Sequence, residues 1–268
     1  MRTVVHLSDL HFGAVNEAII APLIRTINDI SPDVVALSGD LTQRARSHQF
    51  REARAFLDAI PRPQIVVPGN HDIPLYNVFQ RFAQPLKKYR RYITHDLYPF
   101  FADDEIAIVG VNTARSLTIK GGRINKRQVA WIREKFCAAG PDVIKIVVTH
   151  HPFDLPTGQE RDIVGRAGMA LRELATCQAD LFLAGHLHKS LTGHTKMRYK
   201  LVGSMALVVQ AGTASSTRSR GEVNSFNVIR HGQTDISIEK LAWQPTQTAF
   251  VSSRVDRFRR DSTGWSRV

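Results

Sequence analysis

Short apolar runs alternate with amphipathic segments over the first 190 residues, and each run stops at polar residues. The first run, Thr3 to Ser8, is rich in β-branched residues and has no helical period, which predicts a short buried strand. The segment that follows places apolar residues at helical spacing, at Ile19, Ile20, Leu23, Ile24 and Ile27. Strands that alternate with helices in this way predict an α/β sheet.

The same two periods divide the rest of the chain. They predict further strands at 34–37, 65–67, 106–111, 143–148 and 181–184. They predict further helices at 47–60, 126–139 and 161–177, and irregular helical pieces over 74–104. After residue 190 the pattern changes to short antiparallel strands, predicted at 191–194, 199–202, 207–210, 226–231 and 236–241. We therefore expect an α/β (α+β) fold of two layered sheets with helices outside.

Length and composition favour one domain over residues 1–251, followed by a polar, basic tail over 252–268 that we expect to be loosely ordered. A hydrophobic share of 43% supports a large core. Cys137 and Cys177 lie in helix-like stretches, which favours two reduced core thiols over a disulfide or a metal site. Because we see neither a leader peptide nor an apolar stretch of about 18 residues, we expect a cytoplasmic protein.

The net charge is +12, and three basic regions contribute much of it. These are Arg44, Arg46, Arg51 and Arg54; Lys87, Lys88, Arg90 and Arg91; and Arg254, Arg257, Arg259, Arg260 and Arg267. A basic surface attracts anions, including nucleic acid and anionic lipid, although a solvated charged face without a specific role is an equal alternative. We find no dedicated nucleic-acid motif. The sequence is also compatible with a homodimer.

Five apolar runs end in residue types that bind metals. The stops supply two aspartates, one asparagine and four histidines: Asp9, His11, Asp40, Asn70, His150, His186 and His188. Asp9 and His11 are two residues apart, so an extended backbone would direct both side chains to one point. The carboxyl ends of strands in an open α/β sheet form the crevice where ligands bind, so the five stops can converge. Seven ligands are too many for one ion and suit two.

The ligand types limit the metals and the chemistry. Imidazole ligands disfavour Mg²⁺ and Ca²⁺ and favour manganese, iron or zinc. Two such ions about 3.5–4 Å apart would clamp the attacking and leaving oxygens of an in-line displacement at phosphorus. Both cations would also stabilise a bridging hydroxide as the attacking group. The pattern therefore predicts a phosphoesterase with two divalent or trivalent transition-metal ions.

In order and spacing, these stops resemble the motifs of the calcineurin-like metallophosphoesterase superfamily. The matching pieces are Asp9-Leu10-His11, Gly39-Asp40, Gly69-Asn70-His71-Asp72, His150-His151-Pro152 and Gly185-His186-Leu187-His188. The resemblance implies a four-layer αββα sandwich. It also implies two ligand sets that share Asp40 as a bridge: Asp9, His11, Asp40 and His188 for one metal, and Asp40, Asn70, His150 and His186 for the other.

The resemblance also implies roles for the neighbours of the ligands. Asn70 and His71 resemble the family's catalytic pair, in which His71 is the general acid or a transition-state contact. A role for His71 in orienting Asn70 is the alternative. Asp72 would steady His71 from behind. His151 would line the pocket or touch the substrate phosphate.

A small-residue loop from Gln210 to Ser225 carries two arginines, Arg218 and Arg220. Guanidinium groups bind phosphate bidentately, so we expect one of these arginines to reach the substrate phosphate or its leaving group. An ordinary surface loop is an equal alternative.

The motif variants narrow the branch of the superfamily. The Gly-Asp-Leu-Thr, His-His-Pro and Gly-His-Leu-His forms look most like bacterial class III cyclic-nucleotide phosphodiesterases. We therefore expect a phosphodiesterase that acts on small diesters, with 3′,5′-cyclic nucleotides such as cAMP first. The alternative enzyme is a diesterase or pyrophosphatase acting on lipid-linked or glycerol-linked phosphates, with segment 74–101 facing an anionic membrane. The non-enzyme alternative is a basic nucleic-acid-binding protein that keeps a vestigial site.

Overall fold

The computed structural model describes residues 1–155, 162–195, 206–218, 221–232, 234–261 and 264–268. Its strands are β1 (Arg2–Leu7), β2 (Val34–Leu37), β3 (Gln64–Val66), β4 (Phe100–Ala102), β5 (Ile106–Gly110), β6 (Ile144–Val148), β7 (Leu181–Ala184), β8 (Leu191–His194), β9 (Leu207–Gln210), β10 (Ser225–His231), β11 (Asp235–Gln244), β12 (Ala249–Asp261) and β13 (Gly264–Arg267). Its α-helices are α1 (Glu17–Ile30), α2 (Ser47–Asp58), α3 (Val78–Ala83), α4 (Lys87–Tyr92), α5 (Lys126–Ala138) and α6 (Ala167–Ala175).

The strands form two mixed sheets. The first has the order β13-β12-β11-β10-β1-β2-β3, in which β1, β2 and β3 are parallel and β10 to β13 are antiparallel. The second has the order β4-β5-β6-β7-β9-β8, with parallel strands in the middle and antiparallel strands at both edges. The parallel strands are continuous apolar runs because helices or the other sheet cover both of their faces.

The layers follow from which way alternate residues point. Val4 of β1 lies in the apolar layer between the two sheets, with Val34, Ile108, Ile146 and Leu183. Val5, one residue later, lies in a second core under the helices of the first sheet, with Leu23, Val35, Phe50 and Leu57. A third core separates the second sheet from α5 and α6, and contains Val129, Ile132, Val147 and Leu171. The order helix, sheet, sheet, helix confirms the four-layer αββα sandwich.

Polar caps set where the main helices begin. Before α1, the side chain of Asn16 accepts a hydrogen bond from the Ala18 backbone N–H at 3.2 Å. Before α5, Asn125 accepts from the Gln128 N–H at 2.9 Å, while the Gln128 side chain accepts from the Asn125 N–H at 3.0 Å. These reciprocal bonds satisfy donors that the first helical turn leaves unpaired.

The expectation of a loosely ordered tail is wrong. Residues 252–268 lie mostly in β12 and β13, which extend the first sheet. Phe258 and Trp265 are buried, and the Trp265 indole donates to Asp180 Oδ1, at the start of β7 in the other sheet, at 3.0 Å. The many arginines hid this strand pattern, because only alternate residues point inward.

The expectation of two reduced thiols is also wrong. Cys137 near the end of α5 and Cys177 just after α6 are joined by a disulfide, with Cα atoms 5.5 Å apart. The two helices pack side by side on the second sheet, which brings together cysteines 40 residues apart in sequence. Separation along the chain gave no sign of this proximity.

Several predicted elements have different limits in the structure. Helix α6 covers only Ala167–Ala175 of the helix predicted over 161–177. The predicted strand at 199–202 lies outside the described residues. Segment 74–104 contains the short helices α3 and α4 and the edge strand β4. Within the part of the chain that the structure describes, no helix has the length and apolarity needed to cross a membrane.

His6 is a buried histidine between the sheets, and it should make folding sensitive to acid. Burial lowers the pKa of His6 to about 3, although the charge of Asp9 opposes this shift. In the unfolded chain, this histidine therefore binds a proton near the ordinary histidine pKa of about 6.5. In the folded chain, His6 stays neutral until about pH 3. The stability contributed by neutral His6 is present above pH 6.5 and is lost as the pH falls toward 3.

We expect wild-type protein to lose about 2 kcal/mol more unfolding free energy between pH 7 and pH 5 than His6→Gln. Urea unfolding at both pH values measures the difference. His48→Gln makes the same change at an exposed histidine and should keep the wild-type pH dependence. Equal pH dependence in wild type and His6→Gln would rule out this source of acid sensitivity.

Candidate metal centre

Five of the seven predicted ligands follow parallel strands in turns with left-handed backbone. Asp9 and His11 both have φ of 53°, and Asp40 has 52°. His186 and His188 have φ of 76° and 57°. The extended arrangement expected for Asp9 and His11 is therefore wrong, because β1 ends at Leu7 and the chain then turns. Non-glycine residues adopt this conformation at a cost of about 1–3 kcal/mol each, and such strain clusters at functional sites.

Backbone hydrogen bonds hold these turns against one another. The Asp9 N–H donates to the Gly39 carbonyl at 3.1 Å, and the His11 N–H donates to the Asp40 carbonyl at 2.9 Å. Gly69 packs so closely on the Asp40 carboxylate that a Cβ atom there would collide with it. The glycine of the third motif is therefore required by close approach of the backbone to a ligand residue.

The first cluster consists of Asp9, His11, Asp40 and His188, all buried. His188 Nε2 lies 3.1 Å from Asp9 Oδ1 and 3.1 Å from His11 Nε2. His11 Nε2 lies 3.7 Å from Asp40 Oδ2. Ligand atoms that share a first-row transition metal at about 2.1 Å lie about 3.0–3.4 Å apart. The two 3.1 Å distances fall in this range, and the 3.7 Å distance is slightly longer.

The second cluster forms around His150, on the other sheet. His150 Nε2 lies 3.0 Å from Asn70 Oδ1, 3.3 Å from His186 Nδ1 and 3.4 Å from Asp40 Oδ2. Asp40 Oδ2 therefore lies close to histidines of both clusters. The structure thus brings together all seven predicted ligands, four from the first sheet and three from the second.

Hydrogen bonds behind the ligands aim their metal-binding atoms inward. His150 Nδ1 donates to the Ser38 carbonyl and His188 Nδ1 donates to the Arg218 carbonyl, both at 2.8 Å. Each bond fixes the ring so that Nε2 faces the cluster. Asp9 Oδ2 accepts from the Ser8 hydroxyl at 2.6 Å, whereas buried Asp9 Oδ1 has no hydrogen bond. A buried carboxylate oxygen left in this state fits a cation.

His151 differs from the other histidines at the site. Its Nε2 donates to the Lys120 carbonyl at 2.8 Å, because a carbonyl oxygen can only accept. Its Nδ1 then accepts from the Thr113 hydroxyl at 2.9 Å. The His151 ring lies within the His150–His186 group, but both of its nitrogens are occupied by protein. This geometry suits a wall of the site better than a ligand.

His71 is clamped between Gln43 and Arg218. His71 Nδ1 donates to the Gln43 carbonyl at 2.9 Å, which leaves Nε2 to accept from Arg218 Nη1 at 3.1 Å. The same Nη1 donates to the Gln43 side-chain oxygen at 3.2 Å. Because Nε2 accepts from a guanidinium, this contact favours neutral imidazole, and burial also lowers the pKa of His71. Arg220 lies outside the described residues.

The motifs that supply these ligands match those of a known protein family. A family model described as calcineurin-like phosphoesterase matches residues 2–190, well over half of the chain. The chain belongs to the calcineurin-like phosphoesterase family. Membership confirms the resemblance carried by the five motifs and the prediction of a metallophosphoesterase hydrolase. The family uses divalent metal ions, in agreement with the two side-chain clusters.

Curated relatives of this phosphoesterase are distant. The chain is 24% identical over 196 residues to the glycerophosphodiester phosphodiesterase GpdQ of Enterobacter lignolyticus, covering 68% of this chain and 69% of that one. It is 23% identical over 205 residues to a probable cyclic nucleotide phosphodiesterase of Synechococcus, covering 70% of this chain and 74% of that one.

Solved structures share the fold of this phosphoesterase at low sequence identity. The purple acid phosphatase PPD1 of yellow lupin matches with a TM-score of 0.68 and 12% identity, covering 95% of this chain and 53% of the lupin chain. Our chain therefore spans about half the length of the lupin protein. Plasmodium GAP50, described as the anchor in the inner membrane complex, matches with a TM-score of 0.58 and 13% identity, covering 95% of this chain and 88% of that one. These likenesses concern the fold alone.

Asp72 joins two of the phosphoesterase motifs. Its carboxylate accepts from the backbone N–H groups of Gly69 at 2.9 Å, Leu41 at 3.2 Å and Thr42 at 2.9 Å, and from the Thr42 hydroxyl at 2.9 Å. Asp72 thus fixes the loop after β2 against the loop after β3. Burial, together with the Asp40 charge, raises the pKa of Asp72 to about 6.

Charges within the phosphoesterase site strongly perturb its titratable groups. Burial alone would raise the pKa of Asp40, but His150 and His11 hold it far below the usual range. Burial alone would lower the pKa of His150, but the Asp40 carboxylate raises it to about 9. The pKa of Asp9 is also held well below its ordinary value by its histidine neighbours, against burial. The carboxylates therefore stay charged, as metal ligands must.

A pocket of about 190 Å³ opens beside the phosphoesterase site. Its lining includes Gln43, Arg44, Asn70, His71, Ile119, Lys120 and Arg218. The sequence analysis gave no role to Gln43. Its position three residues after the ligand Asp40 could have indicated that it lies at the site. The pocket thus combines two site residues, Asn70 and His71, with cationic side chains able to meet an anion.

Proposed function

We propose that this chain is a dinuclear-metal phosphodiesterase that hydrolyses small phosphodiesters, with 3′,5′-cyclic nucleotides such as cAMP the first candidates. The observation that carries the proposal is the position of Asp40 Oδ2. This oxygen lies 3.7 Å from His11 Nε2 in one cluster and 3.4 Å from His150 Nε2 in the other. One carboxylate shared by two buried histidine clusters supports two ions.

The two ions would be held by Asp9, His11, Asp40 and His188, and by Asp40, Asn70, His150 and His186. When bound, such a pair supplies a nucleophile at neutral pH and stabilises in-line displacement at phosphorus. Manganese, iron and zinc suit these mixed oxygen and nitrogen ligands.

The chain's own residues would bind and orient the phosphoryl group. Arg218 presents a guanidinium to the pocket beside Asn70 and can donate to a phosphoryl oxygen. His71, with Nδ1 fixed on Gln43 and Nε2 on Arg218, keeps that guanidinium in place and contacts the same region. The expected general-acid role would require His71 to gain a proton that its present partners disfavour.

Among phosphate esters, we favour a diester over a monoester as the substrate. The curated relatives named above carry diesterase names, one for glycerophosphodiesters and one for cyclic nucleotides, and this supports both as candidate substrates.

Metal dependence tests the proposal. Hydrolysis of bis(p-nitrophenyl) phosphate should be suppressed by EDTA, restored by Mn²⁺, and abolished in Asn70→Ala, which removes an oxygen close to His150. Thr192→Ala, a polar change in β8, is the control and should retain activity. Activity that persists in thoroughly chelated protein would refute a metal-dependent mechanism.

A substrate panel then separates the candidate functions. With Mn²⁺ present, cAMP, cGMP, 2′,3′-cAMP, glycerophosphodiesters, lipid-linked pyrophosphates and a monoester are compared by kcat/KM. Highest activity on a cyclic nucleotide supports the leading proposal, and highest activity on a glycerophosphodiester supports the alternative. Preference for the monoester contradicts both. Tight DNA binding without any hydrolysis would favour the non-enzyme alternative.

A further inference from the structure

Exposed apolar side chains cluster in the part of the chain that supplies Arg81 and Ile119 to the pocket lining. They belong to two segments, 76–82 and 117–119, and we call them the apolar rim: Tyr76, Val78, Phe79, Phe82, Leu117 and Ile119. Phe79 is 83% exposed and Leu117 is 88% exposed. Single exposed apolar residues are common, but six such side chains on two neighbouring segments indicate a contact surface.

Arg81 holds the two segments of the apolar rim together. Its buried guanidinium donates to the carbonyls of Ser116 at 2.8 Å, Thr118 at 2.6 Å and Pro74 at 3.2 Å. The exposed residues of α3 and of the 117–119 loop are therefore placed by one shared buried side chain. The fold therefore fixes the position of the two rim segments relative to each other.

The apolar rim adjoins the pocket. Ile119 of the rim lines the pocket together with His71 and Arg218, and so does Arg81. The guanidinium of Arg44, another lining residue, lies over the Tyr76 ring at 5.4 Å. A partner that binds the apolar rim would therefore also lie next to the entrance of the pocket.

The charges beside the rim all have one sign. Residues 73–95 contain five Lys or Arg residues and no Asp or Glu, and residues 114–127 contain another five with no Asp or Glu. Lys87, Arg90, Arg91 and Lys120 are exposed. Within the described part of the chain, none of these four forms an ion pair. An apolar rim whose neighbours along the chain are exposed cations is complementary to an anionic, apolar partner.

We propose that the apolar rim binds an anionic lipid surface. Phe79, Phe82 and Leu117 would enter the boundary between headgroups and acyl chains, while Lys87 and Arg91 would lie at the level of the lipid phosphates. Nucleic acid would satisfy the cations and could stack on the aromatic rings, but it offers no partner to Val78, Leu117 and Ile119. A second copy of this chain would oppose cations to cations across a twofold axis.

Binding in this way would hold the pocket mouth at headgroup level. The site would then act on phosphodiesters carried in the lipid surface, with the apolar part of the substrate left among the rim residues. This consequence for substrate choice rests on the proposed function, whereas the lipid contact itself does not.

Cosedimentation with vesicles tests the lipid contact. We expect the 268-residue chain to pellet with phosphatidylcholine vesicles containing roughly 30 mol% phosphatidylglycerol and to stay in the supernatant with pure phosphatidylcholine. Because cations contribute, binding should weaken as salt increases. Hydrolysis of bis(p-nitrophenyl) phosphate, measured in parallel without vesicles, reports separately on the proposed function.

Two sets of variants locate the contact. Phe79→Ser and Phe82→Ser should each weaken vesicle binding about tenfold, with an unchanged circular-dichroism spectrum. Val255→Ser removes an exposed apolar side chain from β12 and should bind like wild type. Lys87→Gln and Arg91→Gln should each cost about fivefold in binding, and Arg257→Gln, at an exposed arginine of β12, should cost nothing.

Three results would overturn the proposal. The first is absence of binding to anionic vesicles by folded wild-type protein. The second is binding that Phe79→Ser, Phe82→Ser and the charge variants leave unchanged. The third is evidence that the apolar rim binds a different partner. That partner would be a second copy of the chain, shown by a dimer that dissociates in Phe79→Ser, or DNA, shown by DNA binding that depends on the rim.

Discussion

Replacing Asp40 with asparagine should lower kcat/KM for bis(p-nitrophenyl) phosphate by about a thousandfold or more. The carboxylate oxygen Oδ2 faces His11 in one cluster and His150 in the other. Asparagine keeps the shape and can still accept the 2.8 Å hydrogen bond from the His71 N–H, but it removes the charge that attracts the cations. Steady-state kinetics with Mn²⁺ and the metal content of dialysed protein measure the two losses.

Asp33→Asn is the matched control for this change. Asp33 precedes the same strand, β2, at the opposite end from Asp40, and accepts from the Thr3 N–H at 2.7 Å. We expect Asp33→Asn to stay within about twofold of wild-type kcat/KM, as is usual for substitutions remote from a site. Wild-type activity and metal content in Asp40→Asn would contradict the shared-carboxylate arrangement.

His71→Ala and Arg218→Ala should each lower kcat/KM by about a hundredfold or more. His71 Nε2 and Arg218 Nη1 are 3.1 Å apart, and Gln43 bonds to both residues. Removing His71 takes away one of the contacts that hold the guanidinium, and removing Arg218 takes away one of the cations that line the pocket. Arg218→Lys should restore only part of the activity, because a lysine cannot donate in the same planar arrangement. Steady-state kinetics on bis(p-nitrophenyl) phosphate measure all three variants.

The two residues should behave as one unit in a double-mutant cycle. The double variant should lose less activity than the product of the single losses, since each substitution already disables the other residue. His71→Ala combined with Arg257→Ala, at a distant exposed arginine, should instead multiply. Simple multiplication for His71 and Arg218 would show that their contact has no functional role.

The fold and the ligand residues could be predicted because both depend on short-range patterns. Continuous apolar runs such as Val34–Leu37 mark strands buried on both faces, and a polar stop marks a strand's carboxyl end. Asp40 follows such a run in the first sheet and His150 follows one in the second, and the packing of the two sheets brings these strand ends together. The same alternation of strands and helices predicted two layered sheets with helices outside, and the family resemblance implied the four-layer αββα order.

The backbone at the ligands could not be predicted from spacing. Asp9 and His11 meet through left-handed turns, whose cost is offset by the hydrogen bonds of Asp9 to Gly39 and of His11 to Asp40. Those bonds join distant parts of the chain. A rule about alternation within one strand therefore gave the right neighbours for the wrong geometric reason.

Long-range contacts also explain the errors elsewhere. The Cys137–Cys177 disulfide depends on how α5 and α6 pack on the second sheet. The tail is ordered because Trp265 reaches Asp180 across the two sheets, a contact that composition could not indicate. Gln43 was overlooked for the same reason, because its role at the site depends on its contacts with His71 and Arg218.

Anomalous diffraction from crystals grown with Mn²⁺ would locate the bound ions themselves. We expect two peaks about 3.5–4 Å apart. One peak should lie among Asp9, His11 and His188, the other among Asn70, His150 and His186, with Asp40 between them. A single peak, or peaks away from these side chains, would contradict the dinuclear site.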